Sequence, residues 1–342
     1  MKNLLPRTKM LDEAKQVIRN KDVPEAENSK PAGHNAVVEI LIFIAVFIVI
    51  EIISSIPSGV AETIDLMSNE EYITLTEQLN SGELTINEYS DAVTELGMEI
   101  SGSLTLPALF LTCIATVLVI VFCRFIEKRS LSSMGLRKSG AVKEYFVGII
   151  VGIGIFSAAV GICLVTNGLK YDGISQNINF GMIGLFFLAF LIQGMSEEIM
   201  FRGYLMVSVS RRSPIAAAVI ISAVLFACAH LFNPGISVLA FVNLVLFGVF
   251  AGVYILKRGN IWGACALHSL WNFVQGNFYG IKVSGMSGLD TVMNMTSVEG
   301  KELINGGAFG LEGGLGVTIV LVIGTVIVLM TKTKPDELAE EI

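Results

Sequence analysis

The feature that most constrains this chain is a series of eight apolar runs, at about residues 37–56, 105–125, 142–167, 181–205, 214–231, 236–256, 260–277 and 314–331. A helix needs about 20 apolar residues to cross some 30 Å of hydrocarbon, and these runs have about that length. Lipid leaves no alternative partner for backbone N–H and C=O groups, so such runs become helices. The expected fold class is all-α: a polytopic membrane helix bundle of about eight transmembrane helices. With 53% hydrophobic and 15% charged residues, the chain is a membrane protein and not a soluble domain.

Charge placement orients the bundle. Arg124, Lys128, Arg129, Arg137, Lys138 and Lys143 fall in the second loop, Arg211 and Arg212 in the fourth, Lys257 and Arg258 in the sixth, and Lys332 and Lys334 in the tail. The intervening loops together hold only Lys170, Lys282 and Lys301. By the excess of Lys and Arg on the cytoplasmic side, both termini are expected in the cytoplasm. The location this implies is an integral membrane one, expected to be a bacterial plasma membrane. The net charge of −7 and the clustering of basic residues between apolar runs give no sign of a nucleic-acid partner. The five cysteines lie in apolar stretches with no CxxC pair, so a disulfide framework is not expected.

The chain divides by composition. Residues 1–34 form a polar leader, read as a cytoplasmic tail, and 35–56 a first transmembrane helix ending at Pro57. Residues 57–103 carry ten acids and no Lys or Arg, with helical patterning at 70–79 and 86–96. They read as a solvated extracytoplasmic insertion, with a plain spacer the first reading of its role. Residues 104–141 hold the second transmembrane helix and the basic loop, 142–277 the core, and 278–342 a Gly- and Ser-rich extracytoplasmic loop, the last transmembrane helix and a cytoplasmic tail.

Within the core, Glu197, Glu198 and Arg202 interrupt a run that is otherwise apolar. Charges at membrane depth are costly and are functional candidates by default. On a helix Glu198 and Arg202 share a face as an i, i+4 pair in the favourable order, whereas Glu197 points about 100° away. Glu197 is therefore expected to have no partner on its own helix, which suits a general base. The bland alternative is that all three snorkel at a helix end. Two further constellations follow: Phe226-x-x-x-His230, and His268-x-x-x-Asn272, each an i, i+4 pair on one face. The second can orient a water or place donors on a developing oxyanion.

Glu-Glu-x-x-x-Arg at 197–202, Phe-x-x-x-His at 226–230 and His-x-x-x-Asn at 268–272, in that order and each on its own apolar run, resemble the CAAX prenyl endopeptidase and bacteriocin-processing (CPBP, Abi) family of intramembrane proteases. The stretch from Gly252-Val253-Tyr254 to Gly259-Asn260-Ile261-Trp262 is also similar to that family's approach to its second histidine motif. The resemblance spans about 142–277. It implies an intramembrane endopeptidase in which Glu197 activates water, Glu198 and Arg202 support it, and His230, His268 and Asn272 complete the catalytic set. No cofactor follows with certainty. Two histidines and a carboxylate, here Glu197, His230 and His268, meet the ligand count of a catalytic zinc site, yet a metal-free glutamate mechanism uses the same residues.

The expected partners are a membrane-associated peptide or protein substrate and the lipid bilayer. Processing of a leader or signalling peptide is the preferred setting, with protection against a bacteriocin as another. The alternatives are a non-catalytic peptide-binding or immunity membrane protein on the same fold, or a proton-relaying carrier. Counting residues from the turns near Arg211 and Gly259 requires the helix bearing Glu197 to be longer than the bilayer needs. The polar residues would then share one pocket, expected to open toward the cytoplasm.

Overall fold

The structure is a computed structural model that describes residues 5, 8–15, 33–286 and 288–332. Most of the 1–34 leader and residues 333–342 of the tail lie outside the described residues.

A short helix α1 (Lys9–Lys15) is followed by α2 (Ala36–Ser68), α3 (Glu70–Ser81), α4 (Ile86–Ser103), α5 (Thr105–Ile126), α6 (Ala141–Val165), strand β1 (Leu169–Ile174) and α7 (Phe180–Ser210). Then come α8 (Ile215–Cys228), α9 (Val238–Arg258), α10 (Trp262–Phe273), β2 (Met293–Ser297), α11 (Glu302–Asn305) and α12 (Leu315–Met330). Among the described residues five helices, α2, α5, α6, α7 and α9, are long and apolar enough to cross a membrane; α8 and α12 are shorter apolar helices. Helix α10 has twelve residues before a π-helical turn over Val274–Phe278. The result is a polytopic helical bundle, with one addition the hydropathy did not contain: β1 and β2 pair antiparallel, Leu169 opposite Ser297.

The outer faces of the bundle are apolar. Val37, Leu41, Ile52, Ile323 and Ile327 are all more than half exposed, as expected where lipid and not water is the solvent. The close contacts between helices are made at small residues, the usual device where lipid removes the hydrophobic drive to associate. A Cβ on Gly148 of α6 would sit 2.1 Å from the Gly263 carbonyl of α10, and one on Gly152 would sit 2.4 Å from the Leu267 carbonyl. On α7, Gly194 is as tight against Ser269 of α10, where a Cβ would meet the backbone nitrogen at 2.7 Å. These contacts draw α10 between α6 and α7 and bring Glu197 and Glu198 to His268.

One boundary differs from the sequence reading. The first membrane helix does not stop at Ile56; α2 continues through Pro57 to Ser68, 33 residues in all, or roughly 50 Å. Proline removes one N–H and crowds one carbonyl. Beside it the Ser55 hydroxyl donates to the Ile52 carbonyl and Ser58 to the Ser55 carbonyl, so the turn stays bonded and the helix goes on. The acidic insertion is ordered: its two patterned stretches form α3 and α4, separated by Gly82 in the left-handed region at φ 80°, a conformation glycine adopts without strain.

The basic residues lie together at one end. Arg211 bonds Glu39 at 3.1 Å and also Glu127. Arg129, fully buried, donates to the Gly203 carbonyl and the Ser208 hydroxyl, each at 2.9 Å. Arg258 takes Glu144 in a fork, at 2.6 and 2.8 Å. The opposite end is built by the acidic insertion, the β1–β2 pair and the loops around Asn233, Ser284 and Asn305.

Candidate active site

Helix α7 carries the first motif and changes character there: it is α-helical to Glu198 and π-helical over Ile199–Met206. Such local widening is common at functional positions. Arg202 Nη1 lies 2.8 Å from Glu198 Oε1, and neither side chain has any exposure. The guanidinium carbon stands 4.4 Å over the ring of Phe226, a cation–π contact that holds its uncommitted side. Gly248 of α9 leaves the room: a Cβ there would meet Ala223 at 2.7 Å and Arg202 Nη2 at 3.3 Å.

Glu198 also holds the second histidine. His268 Nδ1 is 2.9 Å from Glu198 Oε1, and since a carboxylate only accepts, Nδ1 carries the proton. The other ring nitrogen, Nε2, lies 3.5 Å from Glu197 Oε2. The His268 ring is packed edge-on against Phe247, with ring centroids 4.8 Å apart. His268 thus joins the two glutamates that the helix itself points apart.

Glu197 is not alone on its helix. Gln193, one turn earlier, donates from Nε2 to Glu197 Oε1 at 2.6 Å and accepts at Oε1 from Asn272 Nδ2 at 3.0 Å. This corrects the expectation that only Glu198 has a helical partner. The signal was present as Gln193-x-x-x-Glu197, an i, i+4 spacing that attention to charges alone passes over. Glu197 Oε2 is buried without a hydrogen-bond partner.

His230 follows the end of α8. Its Nδ1 lies 2.8 Å from the Phe226 carbonyl; the carbonyl only accepts, so in the neutral ring Nδ1 is protonated and Nε2 is an acceptor. Phe226 stands between the two histidines, with centroids 4.7 Å from His230 and 6.0 Å from His268.

Glu197, His230, His268 and Asn272 all line one cavity of about 540 Å³, whereas Glu198 and Arg202 lie behind its wall. The sequence reading expects this pocket to open toward the cytoplasm; its polar lining extends toward the end away from the basic residues. On the basic side every residue from Ile199 to Arg211 is buried, which makes a closed floor. Polar lining reaches the opposite end through Ser55 and Ser58 of α2, Thr105 of α5, Asn233 after α8, and Ser284 and Glu312 of the segment after α10. Counting along the helices located the glutamate and the histidines but could not say which side the loops close.

Two lining carboxylates were not singled out from the sequence. Glu51 breaks the apolar run of α2, and membrane depth should have flagged it. Glu312, 8% exposed, accepts at Oε2 from Ser284 N and Oγ at 2.7 and 2.9 Å and from Gln275 at 3.2 Å. Nothing local in the Gly-rich loop announces that role.

Among the described residues no group of three His, Cys, Asp or Glu side chains is placed to hold a metal ion. One nitrogen of His268 is committed to Glu198 and one of His230 to a backbone carbonyl; such bonds fix a ring's orientation whether or not its other nitrogen takes a metal, and no step below passes through a metal.

Fold and cavity define an integral membrane helix bundle with a polar site sunk into its interior. The family model described as Type II CAAX prenyl endopeptidase Rce1-like matches residues 179–274, from the Asn179 cap of α7 through the first π residue after α10. Over that segment, which is less than a third of the chain, the sequence is similar to this family, and all three motifs lie within the matched residues. No curated protein and no solved structure matches the chain.

Proposed function

We propose that the protein is an intramembrane endopeptidase that hydrolyses a peptide bond of a membrane-associated peptide or protein, with water activated by Glu197 and without a metal. The observation that carries this reading is that Glu197, one of whose carboxylate oxygens has no hydrogen-bond partner, lines a 540 Å³ cavity together with His230, His268 and Asn272.

A water in this cavity has two acceptors available, Glu197 Oε2 and the Nε2 of neutral His230. Giving a hydrogen bond to each leaves a lone pair for a substrate carbonyl. As oxygen bonds to the carbonyl carbon, its proton passes to Glu197. The oxyanion takes a hydrogen bond from the Asn272 N–H not committed to Gln193. The C–N bond then breaks as the proton on Glu197 passes to the leaving nitrogen. Glu198, fixed by Arg202, holds the His268 ring in one tautomer, and His268 Nε2 faces the Glu197 oxygen that gains and loses the proton. Gln193 holds the other oxygen and joins it to Asn272.

The test is hydrolysis by purified protein in proteoliposomes, read by mass spectrometry on a library of membrane-anchored peptides. Wild type should release fragments and Glu197→Gln should release none, with both forms melting at the same temperature. Equal fragment release from both would refute the role of Glu197. If neither form cleaves while both bind peptide, the non-catalytic binding reading replaces this one.

A further inference from the structure

Taking the endopeptidase reading as its basis, we infer that the substrate segment entering this cavity is cationic, that it arrives from the acidic, extracytoplasmic end, and that Glu51 of α2 is the carboxylate that selects it.

Three observations converge. The cavity walls hold three carboxylates, Glu51, Glu197 and Glu312, and no Lys or Arg lines it. Arg202, the nearest cation in the motif, is fully buried behind the wall against Glu198 and Phe226. The indole Nε1 of Trp271, a lining residue only 2% exposed, has no hydrogen-bond partner. The lining thus sets three carboxyl groups against no Lys or Arg and leaves a buried N–H without an acceptor, in a medium where unpaired polar groups are costly.

Glu51 differs from the other two acids. Glu312 is held by Ser284 and Gln275, and Glu197 by Gln193 and His268. Glu51 has neither a hydrogen bond nor an ion pair among the described residues, and it is exposed. It heads a polar stripe with Ser54, Ser55 and Ser58, spaced i, i+3, i+4 and i+7, and all four line the cavity. They form one face of a helix whose other sides bear Ile48, Ile52, Ile53 and Ile56. This stripe lies outside residues 179–274, the segment that the family model matches.

Direction follows from the closed floor at the basic end and from the charge above the mouth. The insertion that continues α2 beyond Ser58 carries ten acids and no basic residue. By the distribution of Lys and Arg that end faces away from the cytoplasm. A funnel of one sign steers ligands of the other and disfavours like charge.

The test uses full-length Glu197→Gln protein in nanodiscs and three fluorescent, otherwise identical apolar peptides with a central lysine, norleucine or glutamate. Binding, read by anisotropy, should favour lysine over norleucine about tenfold or more. Glu51→Gln should abolish that preference and Glu51→Arg should favour the glutamate peptide, with unchanged melting temperatures. Equal affinities, or a lysine preference that survives Glu51→Gln, overturn the assignment. For direction, Ser55→Cys should react with a membrane-impermeant thiol reagent in intact cells, above the parent protein's background, and be protected by the lysine peptide. Reaction only in inverted vesicles overturns entry from the acidic end. Because binding is read in a non-hydrolysing variant, Glu51-dependent binding with no wild-type cleavage would instead refute the protease reading and leave the subsite standing.

Discussion

Removing either partner of the Glu198–Arg202 pair should destabilise the protein, and the two removals should differ in size. Both side chains are fully buried at 2.8 Å, and leaving one charge of such a pair uncompensated costs about 3–5 kcal/mol. The residual groups have different escapes. In Arg202→Met the remaining carboxylate keeps the hydrogen bond from His268 Nδ1 at 2.9 Å. In Glu198→Gln the guanidinium cannot give up its proton in this range and keeps only the face of Phe226, a contact of about 2 kcal/mol when desolvated. Glu198→Gln should therefore be the more destabilising single change. The double variant Glu198→Gln/Arg202→Met, which leaves no stranded charge, should be more stable than Glu198→Gln alone. Thermal unfolding in one detergent at pH 7, with Glu197→Gln as a control expected at the wild-type temperature, ranks the four. A double variant at or below Glu198→Gln, or Arg202→Met below Glu198→Gln, would show that the pair is not the electrostatic unit described here.

Other outcomes follow from the same geometry. Gly194→Val should cost most of the activity, because its Cβ would stand 2.7 Å from the Ser269 backbone and push α7 off α10; Gly154→Val, with open space around it, should be near neutral in the same assay. Prolonged chelation should leave hydrolysis unchanged, and a complete loss restored by stoichiometric zinc would reverse the metal-free reading. At the start of α4, Thr85 donates its backbone N–H and its hydroxyl to Glu88 at 2.9 and 2.8 Å, and these bonds hold the Glu88 carboxyl below its ordinary 4.5. A carboxyl lowered in the folded state stabilises above its unfolded value and loses that contribution as pH falls. The protection factor of amides in the first turn of α4, taken relative to the intrinsic rate at each pH, should thus be higher at pH 6 than in acid below the carboxyl's ordinary 4.5, with Glu88→Ala showing no such change.

How much of this was legible in the sequence depended on the range of the interaction. The helices, the Glu198–Arg202 pair and the shared faces of Phe226 with His230 and of His268 with Asn272 are set by hydropathy and an i, i+4 spacing, both local. The convergence of the three motifs was legible through family resemblance. Three features were not. The Gln193 bridge couples a local spacing to Asn272, 79 residues on, and only helix packing through Gly194 and Ser269 creates it. The run of α2 past Pro57 depends on serine hydroxyls replacing what proline removes. The direction of the mouth depends on the burial of Ile199–Arg211 at the basic end and on a Gly-rich segment that brings Ser284 and Glu312 into the lining at the other, and no periodicity marks such a fold.

The central claim is that Glu197 works as the base of a peptidase in the living membrane. Comparative membrane peptidomics of cells carrying wild-type protein or Glu197→Gln at equal abundance tests it most directly. The account predicts a precursor that accumulates only with Glu197→Gln, paired with a fragment found only with wild type and ending at a single bond. Indistinguishable peptidomes, with the wild-type phenotype retained by Glu197→Gln, would contradict it.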